Sequence, residues 1–259
     1  MKSKNAITPI LSILIYIFLW APVVLLIVFS FSKNRFGIRW EGFTLQWYAD
    51  IFRSVPVKEA LMKSLVIALI TVVVATILGT IAAYGMYKYK FRGKETLRTT
   101  MLIPMVMPSV VTGAALLVFY KSTGIPLGYF SIIIAHITFC SPLAAFVVLG
   151  RMMRMDWSLE EASADLGANR LTTLAKVTVP ALLPAMIASA TLIFPWSFDD
   201  FIITYFVAGV GTTTLPIYIF SQLRFGVSPV INTIGTIFVA IPVIGILFIT
   251  FFQKKQTSH

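Results

Sequence analysis

The sequence predicts an all-α, polytopic membrane bundle of six transmembrane helices forming one domain over residues 1–259. Three observations predict it. Hydrophobic residues make up 58% of the 259 and charged residues only 12%, about half the charge of an ordinary soluble domain. The apolar residues fall in long runs rather than in the periodic stripes of a surface helix. The basic residues lie mostly between those runs.

A helix crossing the hydrocarbon core needs about 20 apolar residues. On that measure spans are expected at about 9–31, 64–86, 100–120, 129–150, 182–208 and 231–252. Lys2 and Lys4 before the first run resemble a secretory signal. The run from Ile10 to Phe31 is longer than a signal core and no clear small-x-small site follows, so it reads as a retained span. Gly79, Ala82, Ala83 and Gly85 on the second span allow close helix packing. Pro22, Pro104, Pro108, Pro142, Pro195 and Pro242 fall inside spans. Such prolines are tolerated where neighbours or water satisfy the freed carbonyl, which favours a packed bundle with a cavity.

Orientation follows from lysine and arginine. The tight cluster Lys88, Lys90, Arg92, Lys94 and Arg98 places the loop after the second span inside. Both termini and the loop after the fourth span are then cytoplasmic. The external stretch 33–60 carries Phe36, Trp40, Phe43, Trp47, Tyr48 and Phe52, which suits a short interfacial segment. A second external segment, about 211–230, contains Pro216 and Pro229 and either folds back over a pathway mouth or forms a plain loop.

The formal net charge of +11 does not point to nucleic acid, because the basic residues flank apolar runs and meet lipid headgroups there. Cys140 is the single cysteine, so no intrachain disulfide forms. A phosphate-binding loop needs G-x-x-x-x-G-K-[ST]. The nearest text, Gly93-Lys94-Glu95, lacks the first glycine and the hydroxyl residue. There is no H-E-x-x-H, no CxxC pair and no G-x-S-x-G; His136 has no second histidine near it, and His259 ends the chain. No cofactor, metal site or ATP-hydrolysing site is expected in this chain.

Residues 151–181 form a long loop between the fourth and fifth spans, and long loops in compact domains are usually functional. Ser158 with Glu160 and Glu161 is helix-start chemistry, and Ser158-x-x-Glu161 fits a capping box. Leu159, Ala162 and Leu166 recur at helical spacing, and Gly167 ends the helix. A second short helix is expected from Leu171 to Val177, stopping before Pro180. The result is a compact helix–turn–helix of a size to enter a partner's groove.

This loop resembles the cytoplasmic motif of bacterial ABC importer permeases: E-A-A, three residues, G, nine residues, I-x-L-P. Here it reads Glu161-Ala162-Ser163, Gly167 and Val177-Thr178-Val179-Pro180, with the spacing kept and Ser163, Val177 and Val179 as departures. The resemblance implies that Glu161, Ala162, Gly167, Val177 and Pro180 dock an ATP-binding cassette ATPase, which holds the ATP and Mg. It also implies the bacterial cytoplasmic (inner) membrane.

Asp199 and Asp200 are the acids well inside an apolar run. A charge at a span centre costs about 2.5–3.5 kcal/mol on insertion scales, so they are expected to face the bundle interior or water. Trp196 and Tyr205 nearby suit organic cations. A substrate pathway of Asp199, Asp200, Trp196 and Tyr205 is one reading; internal pairing of the acids with a basic or hydroxyl group is the other.

Longer stretches resemble the spermidine/putrescine importer permeases, in particular the C-type membrane subunit. They include Arg35-Phe36-Gly37-Ile38 with Trp40, Tyr89-x-Phe91-Arg92-Gly93-Lys94, His136-Ile137-Thr138-Phe139-Cys140, Asp199-Asp200, and Gly226-Val227-Ser228-Pro229. The resemblance implies alternating-access import of polyamine. It implies a homologous second permease subunit, two ATPase copies and an external substrate-binding protein. The alternatives are an ABC permease for another organic solute, such as an amino-acid derivative, and a gradient-driven carrier.

Overall fold

The computed structural model describes residues 7–34, 39–224, 226 and 228–256. Lys2, Lys4, Arg35, Phe36, Gly37, Ile38, Val227 and His259, weighed above, lie outside the described residues. The helices in chain order are α1 (Ile7–Ser30), α2 (Gln46–Arg53), α3 (Val55–Lys88), α4 (Lys94–Val106), α5 (Ser109–Thr123), α6 (Tyr129–Met152), α7 (Ser158–Asp165), α8 (Arg170–Thr173), α9 (Val179–Phe198), α10 (Ile202–Val207), α11 (Leu215–Leu223) and α12 (Pro229–Gln256). A π-turn, Leu174–Thr178, joins α8 to α9.

Among the described residues, four helices are long and apolar enough to cross a bilayer: α1, α3, α6 and the run Arg170–Phe198. The pair α4–α5 makes a fifth if it is one span, but it bends by 109°. The third span expected at about 100–120, with Pro104 and Pro108 inside it, is thus broken between α4 and α5. The cause of the break is Pro108, which disfavours helix at the residue before it. Met107 is extended, with φ −66° and ψ 138°. The helix α12 runs from Pro229 to Gln256, and Pro229–Gly245 is its described apolar stretch. Six spans were expected, and the described residues give four or five.

The chain divides into two compact units, residues 1–58 with 218–259, and residues 59–217. In the first, α1 packs on α12, and a β-carbon on Gly235 would meet Leu26 at 3.0 Å. Residues 9–20 of α1 are exposed throughout, a surface for lipid or another chain. The aromatic stretch leading into α2, with the first turn of α2 itself, clasps the end of α1. Phe31 stacks between Phe43 and Tyr48, each at 5.3 Å, and Trp47 Nε1 donates to the Ser32 carbonyl at 2.8 Å. Trp40 and Phe52 stay exposed, as an interfacial segment requires.

The second unit is built on α3, α5, α6, α9 and α10. Ile67, Ala75, Tyr120, Ile132, Phe139, Ile193 and Val207 form one buried cluster; Ala83, Met86, Val148, Met152 and Leu182 form another. Gly79 brings α3 against α6, because a β-carbon there would lie 2.4 Å from the Ala144 methyl and 2.7 Å from the Ala145 nitrogen. Gly85, expected to act likewise, faces open space.

Candidate functional site

The loop between α6 and α9 forms the expected helical pair, with two differences. The helix α7 starts at Ser158, but the hydroxyl of Ser158 does not cap it. Asp156 Oδ1 accepts from the Ser158 amide at 3.0 Å. The amide, and then the hydroxyl, hold the Asp156 carboxyl below its usual range. The far end is a Schellman motif: Ala168 N–H donates to Ser163 O at 3.1 Å and Gly167 N–H to Ala164 O at 2.9 Å. Gly167 has φ +83° with open space around its missing β-carbon, so backbone conformation explains the glycine.

The second difference lies at Pro180. The expected short helix does not stop there but runs on into α9. Proline lacks an amide hydrogen, and its ring crowds the carbonyl four residues back. Leu174–Thr178 accommodates it by widening into a π-turn, with Val179 N–H donating to Leu174 O. Val177 is half-buried in that turn, and Pro180 is exposed at the second position of α9.

Glu161, Ala162 and Gly167 are exposed. So are the apolar side chains Met153, Leu159, Leu166 and Leu171, at 57–89% of their full surface. Apolar groups gathered on one small loop mark an interaction surface. Glu160 instead points inward, 9% exposed, and binds both Lys88 Nζ and Thr178 Oγ1. Ser163 and Thr173 hydroxyls, 3.0 Å apart, join α7 to α8.

The acid pair sits in a gap, not inside a continuous fifth span as expected at about 182–208. The helix α9 ends at Phe198, with the Asp199 amide donating to the Pro195 carbonyl at 3.0 Å, and α10 begins at Ile202. Asp200 is nearly buried. Its Oδ2 accepts from the Thr204 amide at 2.8 Å and the Thr204 hydroxyl at 2.9 Å, capping α10. His136 of α6 joins them: Nε2 lies 2.9 Å from Thr204 Oγ1 and 3.5 Å from Asp200 Oδ2, and Nδ1 lies 2.7 Å from Ser197 Oγ. One proton order satisfies the set: Ser197 donates to Nδ1, Nε2 to Thr204, and Thr204 to Asp200.

Asp199 differs from its neighbour. It is exposed, and among the described residues its carboxylate makes no hydrogen bond or ion pair. Trp196, 39% exposed, lies against Phe139 at 5.8 Å. Tyr205, 52% exposed, lies against Phe201 at 5.4 Å.

Sequence reasoning missed His136, Ser197 and Thr204, and likewise Glu160, Lys88 and Thr178. His136 had been weighed as a zinc ligand and named in a resembling stretch, but not as a partner of the acids. The signal that could have found it is that it is an ionisable residue inside an apolar span, which in lipid needs a partner. Among the described residues no group of three or more His, Cys, Asp or Glu is placed to hold a metal ion.

Comparison with known proteins agrees with this architecture. Residues 75–256 match the family of binding-protein-dependent transport system inner membrane components. The chain is 35% identical over 244 residues to the spermidine/putrescine transport system permease protein PotC of Escherichia coli strain K12, covering 94% of this chain and 92% of that one. It is 36% identical over 240 residues to the putrescine transport system permease protein PotI of the same strain, covering 90% and 85%. A bacterial ABC transporter that imports the acidic polysaccharide alginate shares the fold, with TM-score 0.68, 17% identity and 98% of each chain covered. The chain therefore belongs to the binding-protein-dependent transport system inner membrane components: it is a polytopic ABC importer permease, the non-catalytic membrane part of a multi-subunit machine.

Proposed function

We propose that this permease imports polyamine, spermidine or putrescine, by alternating access. The observation that carries the reading is the exposed Asp199 carboxylate in the gap between α9 and α10, with the exposed Trp196 before it and the exposed Tyr205 after it in the chain. A carboxylate beside aromatic rings attracts an organic ammonium through ion-pair and cation–π contacts. Asp200, held by Thr204 and His136, is a positioning residue that fixes the gap. The names of the PotC and PotI relatives support the same substrate class.

The loop 151–181 is the dock for the ATPase, with Glu161, Ala162 and Gly167 on its exposed face and Val177 and Pro180 at its junction with α9. The exposed Leu159, Leu166 and Leu171 support this. In this reading the loop and both termini are cytoplasmic. A homologous second permease supplies a second dock, two ATPase copies hold ATP and Mg, and an external binding protein delivers substrate.

Radiolabelled uptake by the reconstituted complex, comparing spermidine, putrescine and an amino acid, tests the substrate. Uptake of the amino acid alone would overturn the polyamine reading and favour another organic solute. The alginate importer shows that this fold carries other cargo.

A further inference from the structure

Glu160 lies one residue before the motif that marks the dock, yet it is turned away from the exposed face. Its two oxygens join separate elements. Oε2 meets Lys88 Nζ at the last residue of α3, and Oε1 accepts from Thr178 Oγ1 at the last residue of the π-turn, both at 2.5 Å. Lys88 Nζ also sits 4.7 Å from the centroid of the Trp157 ring. Trp157 stacks on Tyr87 at 4.7 Å and donates from Nε1 to the Met152 carbonyl at 3.1 Å, at the end of α6. The start of α7 is thus fastened to the ends of α3 and α6 and to the base of α9. An exposed ion pair is worth little, but this carboxylate is 9% exposed and bonded at both oxygens.

We propose that Glu160 is the positioning residue that couples movement of the docking loop to α3 and α9 together. A loop held only by its chain ends would bend when pushed. A carboxylate fixed to two helices converts a push on α7 into joint displacement of both. The proposal rests on the reading of residues 151–181 as the ATPase dock.

The test uses the complete importer complex reconstituted in vesicles with its binding protein, carrying Glu160→Gln or Thr178→Val. The ATPase should co-purify with both, and basal hydrolysis should persist. Stimulation of hydrolysis by the substrate-loaded binding protein should fall about fivefold or more, and radiolabelled spermidine uptake should fall with it. The exchanged pair Lys88→Glu with Glu160→Lys should recover part of the stimulation lost in Glu160→Gln. Full stimulation in both variants would overturn the proposal. So would loss of the ATPase from the Glu160→Gln complex, which would make Glu160 part of the dock itself. The docking reading fails separately, if Glu161→Lys keeps the ATPase and normal uptake.

Discussion

His136 of α6 and Asp200 in the gap before α10 approach to 3.5 Å, with the Thr204 hydroxyl bonded to both. This contact divides the acid pair into unlike halves. Asp200→Ala removes the acceptor of the Thr204 amide and hydroxyl, at about 1–3 kcal/mol for each buried group, while His136 keeps Ser197 and Thr204. It should lower the thermal stability of the purified subunit. Asp199→Asn should leave stability unchanged and cut spermidine uptake roughly tenfold, the scale of one lost charge-assisted contact. Equal effects of the two substitutions on stability would refute the division.

Gly167 offers a test of the dock. At φ +83° any side chain with a β-carbon is strained, by about 1–2 kcal/mol. Asparagine tolerates that region best among the other residues. Gly167→Asn should therefore keep more ATPase in a pull-down than Gly167→Val, and Gly167→Asp should lose it through added charge. The opposite ranking would mean that space, not conformation, governs this position.

Gly79 and Gly85 sit on one helix in opposite circumstances. Even Gly79→Ala places a methyl 2.4 Å from Ala144, whereas Gly85→Ala meets nothing. Overpacking typically costs about 1–3 kcal/mol. Thermal unfolding in detergent should show a lowered midpoint for the first and a midpoint unchanged or slightly raised for the second.

Asp156 predicts how the start of α7 responds to pH. Hydrogen bonds from Ser158 depress its carboxyl in the folded state. Its contribution is complete above the unfolded value, about 3.9, and is lost as pH falls through the lower folded value. Amide exchange at residues 158–161, corrected for intrinsic rates, should be constant from about pH 8 to 5. Asp156→Ala should raise it at every pH, while Asp156→Asn, which keeps the acceptor, should not. Exchange that rises between those two pH values in the unsubstituted protein would count against the cap.

Features written locally were legible in the sequence. The apolar runs located α1, α3 and α6, and Gly167 marked the end of α7. Prolines near Met107 announced trouble but not a 109° bend, because a kink angle depends on what the neighbouring helices leave open. The start of α7 was placed correctly, but its cap went to Ser158 instead of Asp156. Pairings between distant positions were not legible. Lys88 and Glu160 are 72 residues apart, and nothing in either neighbourhood names the other. Internal pairing had been the alternative for the acid pair; it holds for Asp200, while Asp199 remains exposed.

The π-turn at Leu174–Thr178 acts as a rotational setting. Each α-helical residue advances the chain by about 100° around the axis, and a π-turn holds a residue that a plain helix would not. Removing one residue from this turn would swing α7 around the axis of α9 like a nut on a screw, with its composition almost untouched. In the proposed dock, the azimuth of the loop is thus encoded as a residue count ahead of Pro180, so a single-residue deletion there should be a harsher change than most substitutions on the exposed face.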